Sequence, residues 1–172
     1  MKVSLKQLIL FFLICGMIYC LSFPAYSRGE KSYNVMEGDQ APNFSLKDLN
    51  GHNVRLSDYK GRPVLLLFMT TWIRGCWEMI PHMKEFHSLY SKKGLALFNI
   101  DIQESQKRAE QFAKEKVIPY PTLLDKDGET RSKFGVFSVP VMILINSEGR
   151  IICWDCPDLS KLLEKQFRIK EK

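Results

Sequence analysis

Three cysteines beyond residue 27, Cys76, Cys153 and Cys156, are the side chains of this sequence best suited to covalent chemistry. As thiolates they attack disulfides or bind soft metals, and as pairs they form disulfides. An odd number cannot all pair within one chain, so one thiol is left free or engaged elsewhere, a first hint of redox work rather than stapling. Two of them lie close together in Cys153-Trp154-Asp155-Cys156. Fully extended at about 3.3 Å per residue, their Cα atoms would stand roughly 10 Å apart, beyond the ~7 Å limit for a bridge, so a local disulfide needs a turn. Pro157 biases Cys156 toward extended backbone, which favours a Cys76–Cys156 bridge over a Cys153–Cys156 one while leaving both open. A metal site from the three cysteines and His82 is the competing use of the same atoms, but His82 follows Pro81 on a helical stretch and reads as a surface side chain. His52 and His87 have no ligand pattern around them. Covalent haem is excluded, because Pro157 stands where the histidine after Cys-x-x-Cys would be required. No cofactor and no metal are expected.

The N-terminus sets the compartment in which those thiols work. Lys2 and Lys6 precede an apolar run from Leu8 to Leu21, and Ala25-Tyr26-Ser27 offers small residues for cleavage. A run of about 14 residues falls short of the roughly 20 that span a bilayer, which favours a signal peptide over residues 1–27. A short linker, 28–35, and one domain, 36–172, would follow. An uncleaved anchor is the alternative, and the one way this chain would meet a membrane. Neither Cys15 nor Cys20 follows the small residue that lipid attachment needs. Export would put the protein where disulfides form and persist. The net charge of +6 falls to +4 without Lys2 and Lys6. No basic run occurs before Arg168-Ile169-Lys170-Glu171-Lys172, which reads as a solvated helix end, so nucleic acid is not an expected partner.

The elements that must hold the cysteines follow from periodicity. Alternating runs between Phe44 and Leu56 flank Asn50-Gly51 and predict a β-hairpin. Val64–Met69 is an unbroken apolar run suited to a strand buried on both faces. Apolar residues then recur with helical spacing from Met79 to Tyr90, with Pro81 tolerated or kinking and Gly94 terminating. Leu95–Ile102 reads as a second buried strand, Ser105–Lys116 as an amphipathic helix and Pro121–Leu124 as a short extended piece. Val141–Ile145 and Arg150–Cys153 form an antiparallel pair, and Leu159–Ile169 a closing helix. This order implies an α/β domain, a central mixed sheet flanked by helices with an N-terminal hairpin extension.

Three separated segments carry a resemblance: Gly38-Asp39-Gln40-Ala41-Pro42-Asn43-Phe44-Ser45-Leu46, Leu56-Ser57-Asp58-Tyr59-Lys60-Gly61-Arg62-Pro63-Val64, and Phe134-Gly135-Val136 through Val139-Pro140 to Gly149-Arg150-Ile151. In order and spacing the chain resembles the TlpA/ResA group of exported thioredoxin-like thiol-disulfide oxidoreductases. That resemblance implies a thioredoxin-like fold, a location in the periplasm or at the outer face of the cytoplasmic membrane, a cysteine-bearing protein client and an upstream thiol donor. In the group the first strand-to-helix turn carries Trp-Cys-x-x-Cys; here it reads Trp72-Ile73-Arg74-Gly75-Cys76, so Ile73 takes the attacking position and Cys76 the resolving one. The group's acid three residues after the second cysteine falls on Met79, with Glu78 one position earlier and, at about 100° per residue, aimed elsewhere. Pro140 matches the group's cis-proline, which frees the neighbouring backbone to pair with an extended substrate.

At a helix N-terminus Cys76 would gain thiolate character from the unpaired amides, and Arg74 would add positive charge. The second cysteine of such a motif is the more buried one, however, and a buried Cys76 would be inert. Antiparallel pairing of the last two strands returns Cys153 and Cys156 toward Pro140 and the motif loop. Two functions compete. One is a thiol-disulfide oxidoreductase whose chemistry has moved to Cys76, Cys153 and Cys156. The other is a redox-inactive binding module that uses Trp72, Ile73, Val139 and Pro140 to hold a partner segment.

Overall fold

The protein is seen in a computed structural model that describes residues 35–168. The stretch read as a signal peptide, nearly all of the linker and the last four residues lie outside the described residues. The hairpin comes first, β1 (Ser45–Asp48) against β2 (Asn53–Arg55). Its loop is held by Asp48, whose Oδ1 accepts the amides of Asn50 (2.9 Å) and His52 (2.8 Å). Only Gly51 of the turn dipeptide needs positive φ, at +85°.

Val64–Met69 forms β3, and all six residues are buried, as its uninterrupted apolar run requires. It pairs in parallel with β4 (Ala96–Ile102) and antiparallel with β6 (Val141–Ile145). Beyond β4 lies β5 (Thr122–Asp125), and beyond β6 the edge strand β7 (Ile151–Trp154). The seven strands run in the order β2-β1-β5-β4-β3-β6-β7. Alternate residues of β3 serve two cores. Leu65, Leu67 and Met69 face a layer containing Cys76, Met83, Leu163 and Phe167, and Leu66 and Phe68 face one containing Phe134 and Ile143.

Helix α1 (Arg74–Tyr90) buries Cys76, Ile80, Met83, Phe86 and Tyr90, a stripe three to four residues apart, and continues through Pro81. Ser105 caps α2 (Gln106–Glu115) with a side chain that accepts the Arg108 amide. The short α3 (Glu129–Lys133) has no counterpart among the sequence expectations. It is only about one turn long, too short to show periodicity, and it forms because Asp125 accepts the amides of Thr130 (3.1 Å) and Arg131 (2.8 Å). The closing helix α4 (Leu159–Arg168) seals the first core with Leu159, Leu163 and Phe167.

Candidate active site

The turn from β3 into α1 is fixed from below by one carboxylate. Glu104 accepts the Thr71 amide at 2.9 Å through Oε2 and the Thr71 hydroxyl at 2.7 Å through Oε1. The Thr71 carbonyl accepts the Trp77 indole N–H at 2.7 Å. The Glu104 side chain is 4% exposed, with Arg108 Nε 3.7 Å away as its cationic neighbour. This anchoring leaves Trp72 standing out at 62% exposure, while Ile73 is half-buried at the N-cap of α1 and offers no side-chain acceptor to the helix amides.

Cys76 is fully buried and is the free cysteine among the described residues. The helix terminus expected to activate it is present, but burial pushes the thiol up, and the nearby charges of Asp101 and Glu104 add to that against an opposing contribution from the Thr70 backbone. Desolvation thus outweighs the helix amides, and Cys76 has the character of an inert core thiol. Arg74 supplies no charge to it: its guanidinium turns to Glu78 at 3.6 Å, both side chains lying in solvent.

Pro140 is cis, as the resemblance implies. It lies over the motif turn, where a Cβ on Gly75 would make an ordinary van der Waals contact of 3.6 Å with Pro140 Cδ. Val139 and Pro140 are half-buried beside it, and Phe137 is 81% exposed on the approach to them. Trp72, Ile73, Val139 and Pro140 therefore come together as a rim.

Cys153 and Cys156 are joined to each other, with Cα atoms 5.5 Å apart. The sequence reading favoured Cys76–Cys156, and the structure corrects it. Pro157 constrains Cys156 but leaves Asp155 free, and Asp155 takes the turn with φ +54°. The Asp155 amide donates to the Met142 carbonyl at 2.8 Å, and Cys156 Sγ lies 3.6 Å from the same oxygen. Met142 is two residues past Pro140, so the bridge sits one strand away from the rim. Its cysteines are recessed, at 3% and 5% exposure, and share a core cluster with Cys76. His82 is exposed on α1 and two of the sulfurs are bonded to each other, so the four-ligand metal set is not assembled.

Sequence reasoning overlooked Asp101 and Glu104. Asp101 is 1% exposed in the middle sheet, neither carboxyl oxygen has a hydrogen-bond partner, and burial followed by the neighbouring Glu104 carboxylate pushes its pKa up to about 8. The available signal was Asn99 and Asp101 at alternate positions of an otherwise apolar strand, two polar groups aimed at one core. With Thr70, Tyr120 and Thr122 they form a buried polar layer beneath α1.

Known proteins agree with this architecture. Residues 37–153 match the AhpC/TSA family. The thiol-disulfide oxidoreductase ResA of Bacillus thuringiensis subsp. konkukian is 31% identical over 86% of this chain and 84% of its own length. ResA of Bacillus subtilis is 33% identical over 88% and 83%. The crystallised thioredoxin domain of a thiol-disulfide oxidoreductase from Bacteroides vulgatus superposes with a TM-score of 0.71 at 23% identity, covering 77% of this chain and 98% of that domain, a likeness of fold. The family match over residues 37–153 and the relatives at 31% and 33% identity place the chain in the AhpC/TSA family and among the thiol-disulfide oxidoreductases of the ResA kind.

Proposed function

We propose that this protein is an exported thiol-disulfide oxidoreductase whose redox couple is Cys153–Cys156, with the Trp72, Ile73, Val139 and Pro140 rim seating a protein client. The observation that carries this reading is the closed Cys153–Cys156 bridge one strand from cis-Pro140, while Cys76, the remaining cysteine among the described residues, is quenched by burial and by the nearby carboxylates. The cycle balances with two co-reactants. A thiolate of an upstream protein dithiol attacks one sulfur of the bridge, the S–S bond breaks, and the departing sulfur takes a proton. The donor's second thiol attacks the mixed disulfide, leaving the donor oxidised and Cys153 and Cys156 reduced. The same two steps in reverse, on a client disulfide, reduce the client and close the bridge again. Export rests on the N-terminal sequence; among the described residues no helix is long and apolar enough to cross a membrane.

A second reading, a binding module without turnover, draws on Ile73 and on the exposed Trp72 and Phe137. Insulin reduction driven by dithiothreitol separates the two. The oxidoreductase reading expects turnover that C153S and C156S abolish and C76S retains. Turnover at the uncatalysed rate, or equal in all three variants, overturns it in favour of the binding module.

A further inference from the structure

The recessed bridge lies at the sheet edge, and that edge is already occupied. Residues 36–41 run alongside β7 and use its outer backbone groups. Gly38 N–H donates to the Ile151 carbonyl (2.7 Å), Ile151 N–H to the Asp39 carbonyl (2.9 Å) and Ala41 N–H to the Gly149 carbonyl (2.9 Å). At the far end Glu37 Oε1 accepts the Trp154 amide at 3.3 Å, the peptide group that joins Cys153 to Trp154. Arg150 Nη1 adds a bond to the Gly38 carbonyl at 2.9 Å.

The strip is held by exposed hydrogen bonds, those of Gln40 Nε2 to the Gly149 (3.0 Å) and Glu148 (3.4 Å) carbonyls among them, rather than by buried packing. Residues 36–40 are all exposed, Met36 at 63%, and only Ala41 enters a core cluster. A segment with few buried apolar contacts and solvent-exposed hydrogen bonds opens at low free energy, whereas the strands it covers do not. An unpaired edge strand, in turn, is a ready acceptor for an extended segment of another chain, which supplies main-chain bonds while alternate side chains reach one face. On β7 one of those faces carries Cys153, bridged to Cys156 in the turn just past the strand, and the pair is packed with Leu159, Leu163 and Phe167.

We infer that Met36–Ala41 is a displaceable strap, and that an extended cysteine-bearing segment of the partner protein takes its place on β7, reaching the Cys153–Cys156 bridge as an added strand. This rests on the bridge being the redox couple, as proposed above. The exchange explains how a couple at 3% and 5% exposure is reached: the strap leaves, the incoming strand pairs with the freed edge, and its cysteine is delivered to the face that holds the bridge. Glu37 adds selectivity, because its carboxylate beside the Cys153–Trp154 peptide repels an approaching thiolate while the strap is docked.

The test uses the full chain and two variants, G38P and E37A. Proline at 38 removes the amide that donates to Ile151 and cannot adopt the φ of +94° found there. Bridge reduction is followed by mass-tagging the two released thiols, with an extended octapeptide dithiol and with dithiothreitol as reductants. Amide exchange at Ile151 reports strap release. Expected are faster exchange at Ile151, peptide-driven reduction about tenfold faster in G38P and about threefold faster in E37A, a smaller gain with dithiothreitol, and a thermal midpoint moved by only a few degrees. Faster exchange at Ile151 with an unchanged peptide rate overturns the strap, as does an equal gain with both reductants. Should G38P not fold, E37A decides alone, and an unchanged peptide rate there is the overturning result. Reduction of the resting bridge is measurable whether or not insulin is turned over, so failure of the strap and failure of the proposed couple give different results.

Discussion

Replacing Asp101 with asparagine is expected to stabilise the protein at neutral pH, and the size of the gain follows from where the carboxyl sits. Asp101 is 1% exposed, without a hydrogen-bond partner, and close to the Glu104 carboxylate; its pKa stands at about 8 against an ordinary 3.8. Between those two values the folded state holds a proton that the unfolded chain has released, so stability falls as pH rises from about 4 to about 8 and is level above. At about 1.4 kcal/mol per pH unit, roughly three units of that slope are spent by pH 7, a ceiling of ~4 kcal/mol. Local relaxation and water entry reduce this, and a gain of about 2 kcal/mol, or ~6 °C in thermal midpoint, is the expected outcome for D101N at pH 7. Asparagine keeps the shape but has no titratable proton, so the comparison isolates the ionisation. Urea unfolding of both proteins at pH 4, 5.5, 7 and 8.5 reads the effect. The advantage of D101N should be near zero at pH 4 and grow toward pH 8. A difference that is flat across pH, or of opposite sign at pH 7, would refute the reasoning, because then Asp101 is ionised in the fold at no cost.

Other outcomes follow from the motif turn. Ile73→Cys puts a thiol at the half-buried N-cap of α1, three residues before Cys76, and should raise dithiothreitol-driven insulin reduction by about 100-fold or more, provided helix amides favour the thiolate there; no gain would show that the turn itself has lost the geometry for exchange. Glu104→Ala deprives the Thr71 amide and hydroxyl of their acceptor and should cost about 2–3 kcal/mol in urea unfolding, with an effect under about 0.5 kcal/mol contradicting the anchoring role. Trp72→Ala removes an exposed ring, so it should leave the thermal midpoint nearly unchanged while weakening capture of an extended client peptide about tenfold in fluorescence titration. Unchanged affinity would take Trp72 out of the rim.

Much of the scaffold was legible in one dimension. The unbroken run Val64–Met69 and the mostly apolar run Leu95–Ile102 are buried on both faces, as apolar residues at successive positions of a strand require. The helical spacing from Met79 to Tyr90 pointed to α1, and Asn50-Gly51 to the hairpin. Cis-Pro140 was legible only through resemblance, since the flanking residues do not distinguish a cis from a trans bond by themselves.

The cysteine arithmetic was local information and survived intact: three thiols downstream of residue 27 cannot all pair, and Cys76 is the one left over among the described residues. Which two join was not local. An extended Cys153–Cys156 segment cannot close, and it was the left-handed turn at Asp155, bonded to Met142 on the neighbouring strand, that brought the two together. The same holds for charge. Sequence placed Cys76 at a helix N-terminus and left an activated thiol and a buried, inert one both open; only the packed sheet put it at zero exposure with Asp101 and Glu104 nearby, and desolvation in a core exceeds what a few helix amides return. The strap on β7 is likewise a meeting of residues more than 100 positions apart. Residue types and spacing determined what chemistry this chain carries and which elements hold it; burial and long-range pairing, which depend on every other element being in place, decided which sulfur is quenched, which are bridged and what stands in front of them.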